Sequence, residues 1–282
     1  EEETTSAALI RGVAARLSAL GCPLSSAGLD AYLVSDVPGG SGLSSSAAFE
    51  VLIGTMLNDL FWDGRCSAVE LAQIGQYAEN VFFGKPCGLM DQTASSVGGV
   101  VAIDFADPVQ PQVEQIGLDL HSAGYALCIL DSGAGHADLT AEYAAITGEL
   151  KAVSQYFGKE VLREVPEEAF LEALPQVRKA AGDRAVLRAL HFYAEDRRAA
   201  EEARALRDGD FGRFLELVRD SGRSSALYLQ NVVPTGQTTA QELLVTIGLS
   251  ERILEGRGAV RVHGGGFGGT AQAFVPLDLL ET

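Results

Sequence analysis

The feature that most constrains this chain is a glycine- and serine-rich stretch at residues 38–48, Pro-Gly-Gly-Ser-Gly-Leu-Ser-Ser-Ser-Ala-Ala. Residues 29–37, just before it, are rich in β-forming side chains and predict a strand. Residues 47–60, just after it, place apolar side chains at helical spacing and predict a helix. The sequence therefore predicts a loop that joins a strand to the first turn of a helix.

This loop has the composition of an anion-binding site. Gly39, Gly40 and Gly42 let backbone N–H groups approach a ligand closely because glycine has no Cβ. The unpaired N–H groups and the positive dipole end of the helix favour an anion beside residues 44–46, whose hydroxyls add hydrogen bonds to phosphate or reach a metal. The alternative is an ordinary turn in which one serine caps the helix. The stretch is not a Walker P-loop, since no Gly-Lys-Ser/Thr closes it.

Composition restricts the partners of the chain. Its 282 residues are 47% apolar, enough for one or two domains with a full core. A net charge of −17 argues against nucleic acid as a partner, and no apolar run is long enough to cross a bilayer. The four cysteines form no Cys-x-x-Cys pair, and the acidic N-terminus is unlike a signal peptide. We expect a cytoplasmic protein with reduced thiols, monomeric or weakly associated, that does not bind membranes.

The element pattern changes along the chain. Mixed helix and strand patterns give way to mainly helical ones, which places a boundary between lobes 1–120 and 121–282. Within the first lobe, Ser67 and Glu70 form the signature of a capping box at a helix start. Near the C-terminal end, residues 257–263, 264–269 and 270–276 predict a strand, a glycine turn and a second strand.

Two carboxylates are candidates for chemistry. Glu79 ends a helix and could hold Mg²⁺ together with a serine hydroxyl; the alternative is an ordinary surface glutamate. Asp91 lies among small and apolar residues and could accept or orient a substrate hydroxyl. The alternative is that Asp91 only stabilises a helix N-terminus through its negative charge.

The third candidate is the segment 264–269, Gly-Gly-Gly-Phe-Gly-Gly. Five glycines in six residues cost conformational entropy that packing does not readily explain. We therefore expect the backbone here to approach a ligand or the first glycine loop.

These segments resemble a known family. Residues 38–48, 87–92 and 264–269 are similar, in order and spacing, to the second motif, the catalytic-aspartate segment and the third motif of galactokinases, within the GHMP kinase superfamily. Residues 76–84 resemble the family's segment with the metal-binding glutamate, and residues 131–143 the stretch with a sugar-binding tyrosine. The resemblance extends from about residue 6 to residue 276, and Gly-Leu-Met-Asp-Gln narrows it to galactokinase-like members.

The resemblance implies an α+β, two-lobed GHMP kinase fold, with a ribosomal S5-like N-terminal lobe and a ferredoxin-like C-terminal lobe. ATP and a sugar would meet between the lobes. The implied nucleotide-binding residues are Gly40, Gly42, Leu43, Ser44, Ser45, Ser46, Gly265, Gly266 and Gly268. Ser46 and Glu79 would bind Mg²⁺, Asp91 would be catalytic, and Asp91, Tyr143 and Gly88 would contact the sugar.

The implied function is ATP-dependent phosphorylation of galactose at its anomeric hydroxyl. No segment within residues 1–282 resembles the family's first motif, which supplies a catalytic arginine, and its C-terminal helix and strand have no counterpart here. We therefore expect nucleotide binding with slow turnover. Two alternatives stay open: a GHMP kinase for another sugar or small alcohol, and a non-catalytic sensor of sugar and nucleotide.

Overall fold

The computed structural model describes residues 4–24, 28–37, 43–134 and 139–281. It divides into two compact units, Glu1–Gly117 and Leu118–Thr282. Each unit combines α-helices with an antiparallel sheet, so the predicted α+β class is confirmed.

The first unit packs helices around a small apolar core. The helices are α1 (Ser6–Ala19), α2 (Ser45–Trp62), α3 (Ala68–Tyr77) and α4 (Met90–Val97), and a π-helical turn (Ala78–Phe83) follows α3 directly. Strands β1 (Val100–Asp104) and β2 (Gln112–Ile116) form an antiparallel pair. The core brings together Val13, Leu17, Ile53, Leu57, Leu71, Ile74 and Ala78. Helix α1 lies close to the π-helical turn because Gly12 has no side chain: a Cβ there would stand 2.7 Å from Ala78 Cα.

Local sequence signals set the helix starts. The Ser67 hydroxyl accepts the N–H of Glu70, and the Glu70 carboxylate accepts the N–H of Ser67, which confirms the predicted capping box. Thr5 caps α1 in the same way by accepting the N–H of Ala8. The helix predicted at residues 47–60 is confirmed as α2.

The strand predicted at residues 29–37 is wrong. These residues form no regular secondary structure, and Tyr32 and Val34 are 93% and 75% exposed. A strand needs the backbone hydrogen bonds of a neighbour, and within the described ranges no segment pairs with this one. High β-propensity alone therefore leaves the segment without a sheet. Gly40 and Gly42, in the loop that follows, lie outside the described residues.

The second unit is mainly helical. Its helices are α5 (Thr140–Tyr156), α6 (Glu167–Glu172), α7 (Leu174–Ala181), α8 (Asp183–Arg207), α9 (Phe211–Ser224) and α10 (Glu242–Leu254). Strands β3 (Tyr125–Asp131), β4 (Ala259–Val262) and β5 (Thr270–Pro276) form an antiparallel sheet in the order β3-β5-β4. In its register Ala273 lies between Cys128 and Val260. The predicted strand, glycine turn and strand at residues 257–276 are thus confirmed.

Two further predictions concern the chain as a whole. The four cysteines, Cys22, Cys66, Cys87 and Cys128, are all free thiols. Among the described residues, none of the helices has the length and apolar character that crossing a membrane requires.

Candidate active site

The start of α2 presents its serines in an unusual geometry. Ser44 occupies the N-cap position with left-handed backbone angles (φ 56°, ψ 40°), and its side chain makes no capping hydrogen bond. Instead its hydroxyl donates to Asp91 Oδ2 over 2.6 Å. The alternative in which a serine simply caps the helix is therefore wrong for Ser44. Leu43, Ser45 and Ser46 are half-buried beside it.

Asp91 is held at the start of a different helix. It is the second residue of α4, a first-turn position where the helix dipole favours an acid, and its side chain is exposed. Its bond to Ser44 joins two residues that are 47 positions apart in the sequence. The carboxylate predicted to face a substrate hydroxyl thus lies at the start of α2, beside the first of the three serines.

Glu79 is a buried residue, so the surface alternative is wrong. It lies in the π-helical turn and is 2% exposed. Its Oε1 accepts hydrogen bonds from Ser46 Oγ at 3.0 Å and from Lys85 Nζ at 3.1 Å. Its Oε2 accepts from Gln92 Nε2 at 3.0 Å. The structure therefore joins Ser46 and Glu79, the two residues expected to bind Mg²⁺.

Two polar residues behind Glu79 escaped the sequence analysis. Gln92 and Glu50 are each 1% exposed, and Gln92 Nε2 also donates to Glu50 Oε2 at 3.1 Å. The sequence does contain a signal for the burial of Glu50. It lies three residues after Ala47 and four before Gly54, a helical spacing that puts it on the buried face of α2. A charged residue at such a position needs a polar partner.

Burial changes the acidity of this cluster. Desolvation raises the pKa of Glu50 to about 8, although the hydrogen bond from Gln92 opposes the shift. Burial and the neighbouring Glu79 raise the pKa of the Cys87 thiol to about 12. At neutral pH Glu50 is therefore protonated and Cys87 is an unreactive thiol.

Replacing Glu50 by glutamine is expected to remove a pH dependence of stability. The pKa of Glu50 is about 8 in the folded protein and near its ordinary 4.5 in the unfolded chain. Between these values the folded state keeps a proton that the unfolded state releases. Stability therefore falls as pH rises through this window, by at most about 1.4 kcal/mol per pH unit.

Denaturant unfolding between about pH 5 and about pH 8 measures this slope. Glu50→Gln should reduce it and gain stability relative to the parent at the alkaline end, while the half-buried Glu202, whose pKa is raised to about 7 by desolvation, keeps its own share of the slope. Glu172→Gln, at an exposed glutamate, should keep the parental slope. Equal slopes for the parent and Glu50→Gln would contradict the expectation.

The residues at Glu79 fit the Mg²⁺ that the resemblance implies. Magnesium takes hard oxygen ligands, and in kinases one or two protein groups act together with phosphate oxygens. Ser46 Oγ and Glu79 Oε1 are such oxygens, and the ammonium of Lys85 shows that Glu79 already attracts a cation. The described part of the chain contains no cluster of three or more His, Cys, Asp or Glu side chains that could hold a metal ion.

Four further predicted residues, Tyr143, Gly265, Gly266 and Gly268, belong to the second unit and lie around the turn between β4 and β5. The Tyr143 hydroxyl donates to the Gly266 carbonyl at 3.0 Å, and its ring meets that of Phe267 edge-on at 5.7 Å. Burial raises the pKa of Tyr143. The Asn231 amide, a contact the sequence analysis missed, donates to the Gly265 carbonyl at 3.1 Å.

These contacts supply a packing reason for two of the glycines, which the sequence alone does not suggest. A Cβ on Gly265 would stand 2.6 Å from Tyr143 Cε1, and one on Gly266 only 2.0 Å from the Asn231 carbonyl oxygen. Packing within the second unit therefore requires glycine at both positions, without any ligand. Gly268 is buried in the same turn. Gly88, in the first unit, is exposed and has open space around it.

Comparison with known proteins shows which families the chain is similar to. Residues 8–99 match the GHMP kinases N terminal domain. Galactokinase from Actinobacillus pleuropneumoniae is 33% identical over 267 residues, which cover 92% of this chain and 65% of that protein. The N-terminal part of the chain thus matches the GHMP kinase family. A galactokinase of Mannheimia succiniciproducens is 31% identical over 260 residues, with 92% and 64% covered.

Solved structures of GHMP kinases share the fold. A Lactococcus lactis galactokinase complexed with galactose matches all of this chain and 70% of its own, with a TM-score of 0.72 at 24% identity. The mevalonate kinase of L. major in complex with R-mevalonate matches 97% of this chain and 70% of its own, with a TM-score of 0.56 at 16% identity. The chain thus has a GHMP kinase fold and spans about 65% of the length of the curated relatives it matches.

Proposed function

We propose that this chain takes part in ATP-dependent phosphorylation of galactose at the anomeric hydroxyl. The observation that carries the proposal is the pair of contacts at the start of α2, Ser44 with Asp91 and Ser46 with Glu79. They place two carboxylates of different environments, one exposed and one buried, beside a helix N-terminus suited to phosphate. The galactokinase relatives support galactose as the acceptor.

Each group has a role in phosphoryl transfer, which depends on positioning and charge neutralisation. The hydroxyls and N–H groups at residues 43–46 would bind phosphate oxygens. Asp91 would receive the proton of the attacking sugar hydroxyl or stabilise the charge that develops on it. Mg²⁺, when bound by Ser46 and Glu79, would supply positive charge to the phosphates. Tyr143 and Gly88 would contact the sugar, and the phosphates would also meet Gly265, Gly266 and Gly268.

The test combines binding and product detection. Isothermal titration should detect binding of Mg·ATP, and ³¹P NMR should detect a sugar phosphate when galactose is added. Galactosamine, arabinose and small alcohols complete the acceptor panel. A product with one of these alone would favour another GHMP kinase activity, and binding of sugar and nucleotide without product would favour a sensor. No heat with Mg·ATP would contradict the proposal. The cytoplasmic location and the monomeric or weakly associated state stay predictions.

A further inference from the structure

Lys85 is bound twice to the residue expected to hold the metal. Its backbone N–H donates to the Glu79 carbonyl at 3.1 Å, and its ammonium Nζ lies 3.1 Å from Glu79 Oε1. The first bond closes the π-helical turn and brings the lysine back over the glutamate. The second neutralises a carboxylate whose side chain is only 3% exposed.

The two oxygens of Glu79 are not equivalent. Oε2 accepts a hydrogen bond from Gln92, which is 1% exposed, so this oxygen is directed into the interior. Oε1 accepts from Ser46 and from Lys85, whose side chain is 63% exposed. A cation that arrives from solvent therefore meets Glu79 at the oxygen where the Lys85 ammonium already lies.

An ammonium and a divalent cation cannot share this oxygen at close range. Their like charges repel strongly at separations of a few ångströms, and both would compete for the same lone pairs. The lysine can move away, because its side chain is 63% exposed and carries the ammonium on a flexible four-carbon stem.

We propose that Lys85 is an internal counter-cation of Glu79 that a divalent metal must displace in order to bind. The inference rests on the metal site of the proposed function and adds a residue that sets its affinity. With Lys85 in place, the protein alone binds the metal weakly. Phosphate oxygens of a nucleotide offer the displaced ammonium a new partner, so metal and nucleotide bind best together.

The experiment is a titration with Mn²⁺, followed by electron paramagnetic resonance of the free ion, with and without a non-hydrolysable ATP analogue. Lys85→Met keeps the aliphatic stem and removes the charge, and should tighten Mn²⁺ binding to the protein alone by about tenfold. The gain should be smaller with the analogue present. Lys179→Met, at an exposed lysine of the second unit, makes the same change in net charge and should leave the affinity unchanged.

Glu79→Gln distinguishes a failure of the proposed metal site from a failure of the role proposed for Lys85. If it leaves Mn²⁺ affinity at the parental value, the metal site of the proposed function is wrong, and the role of Lys85 falls with it. If it abolishes binding while Lys85→Met matches the parent, only the role of Lys85 is overturned. An equal gain in Lys179→Met, or no binding by both the parent and Lys85→Met, also overturns it. Should Glu79→Gln fail to fold by circular dichroism, Ser46→Ala takes its place and should weaken binding.

Discussion

Replacing Asp91 by alanine is expected to lower the rate of the proposed galactose phosphorylation by about 10²–10⁴-fold, the range for loss of a general acid–base group. The carboxylate lies at the start of α2, where its Oδ2 accepts the Ser44 hydroxyl at 2.6 Å. Its removal takes away the group proposed to receive the sugar proton. It does not remove the helix start and the serines proposed to bind the nucleotide.

The measurement is product formation in a single turnover, followed by ³¹P NMR, together with the nucleotide affinity from titration calorimetry. We expect Asp91→Ala to lose rate while its affinity for Mg·ATP stays within a fewfold of the parent. Asp183→Ala is the matched control, because Asp183 is an exposed first-turn acid of α8 and also responds to a helix dipole. Equal rates for the parent and Asp91→Ala would remove Asp91 from the mechanism.

The second large effect is expected on stability. Gly266→Ala should destabilise the second unit by about 3 kcal/mol or more, because two penalties coincide. Gly266 has a φ of +81°, which an L-residue rarely adopts, and the new Cβ would stand 2.0 Å from the Asn231 carbonyl oxygen. Backbone atoms on both sides must move apart, and the hydrogen bond from Phe267 N to the same carbonyl would be disturbed.

Gly264→Ala separates the cost of the steric contact from the cost of a left-handed backbone conformation. Gly264 has a similar φ of +64° but no atom within 4 Å of the added Cβ, so its alanine variant should lose only about 1 kcal/mol. Chemical denaturation followed by circular dichroism compares the two variants. If they lose equal stability, packing against Asn231 does not explain the glycine at position 266.

The sequence predicted those parts of the site that lie in short, continuous segments. The serines and Asp91 are identified because each has a recognisable neighbourhood, and Glu79 because it ends a predicted helix in a segment that resembles the family's metal-binding one. The bonds between them join residues 33 and 47 positions apart, so only the fold could show that they meet. Gln92 and Glu50 were missed as a pair because burial is a tertiary property of two helices.

Two errors have the same physical origin. The segment 29–37 has strong β-propensity, but a strand also requires a partner, which propensity does not supply. The composition of segment 264–269 suggests no packing reason for its glycines, whereas Tyr143 and Asn231, distant in sequence, occupy the space beside Gly265 and Gly266. In both cases local composition was interpreted correctly, but the neighbouring segment decided the outcome.

The π-helical turn Ala78–Phe83 has a consequence for the charge balance of the protein. It lets residues 79 and 85 neutralise each other within one short piece of backbone, without help from any other segment. The chain as a whole carries an excess of 17 negative charges, which opposes the approach of a polyphosphate. Because the charges of Glu79 and Lys85 cancel, this buried acid adds nothing to that repulsion, and Asp91 is the carboxylate that a phosphate would meet at the start of α2.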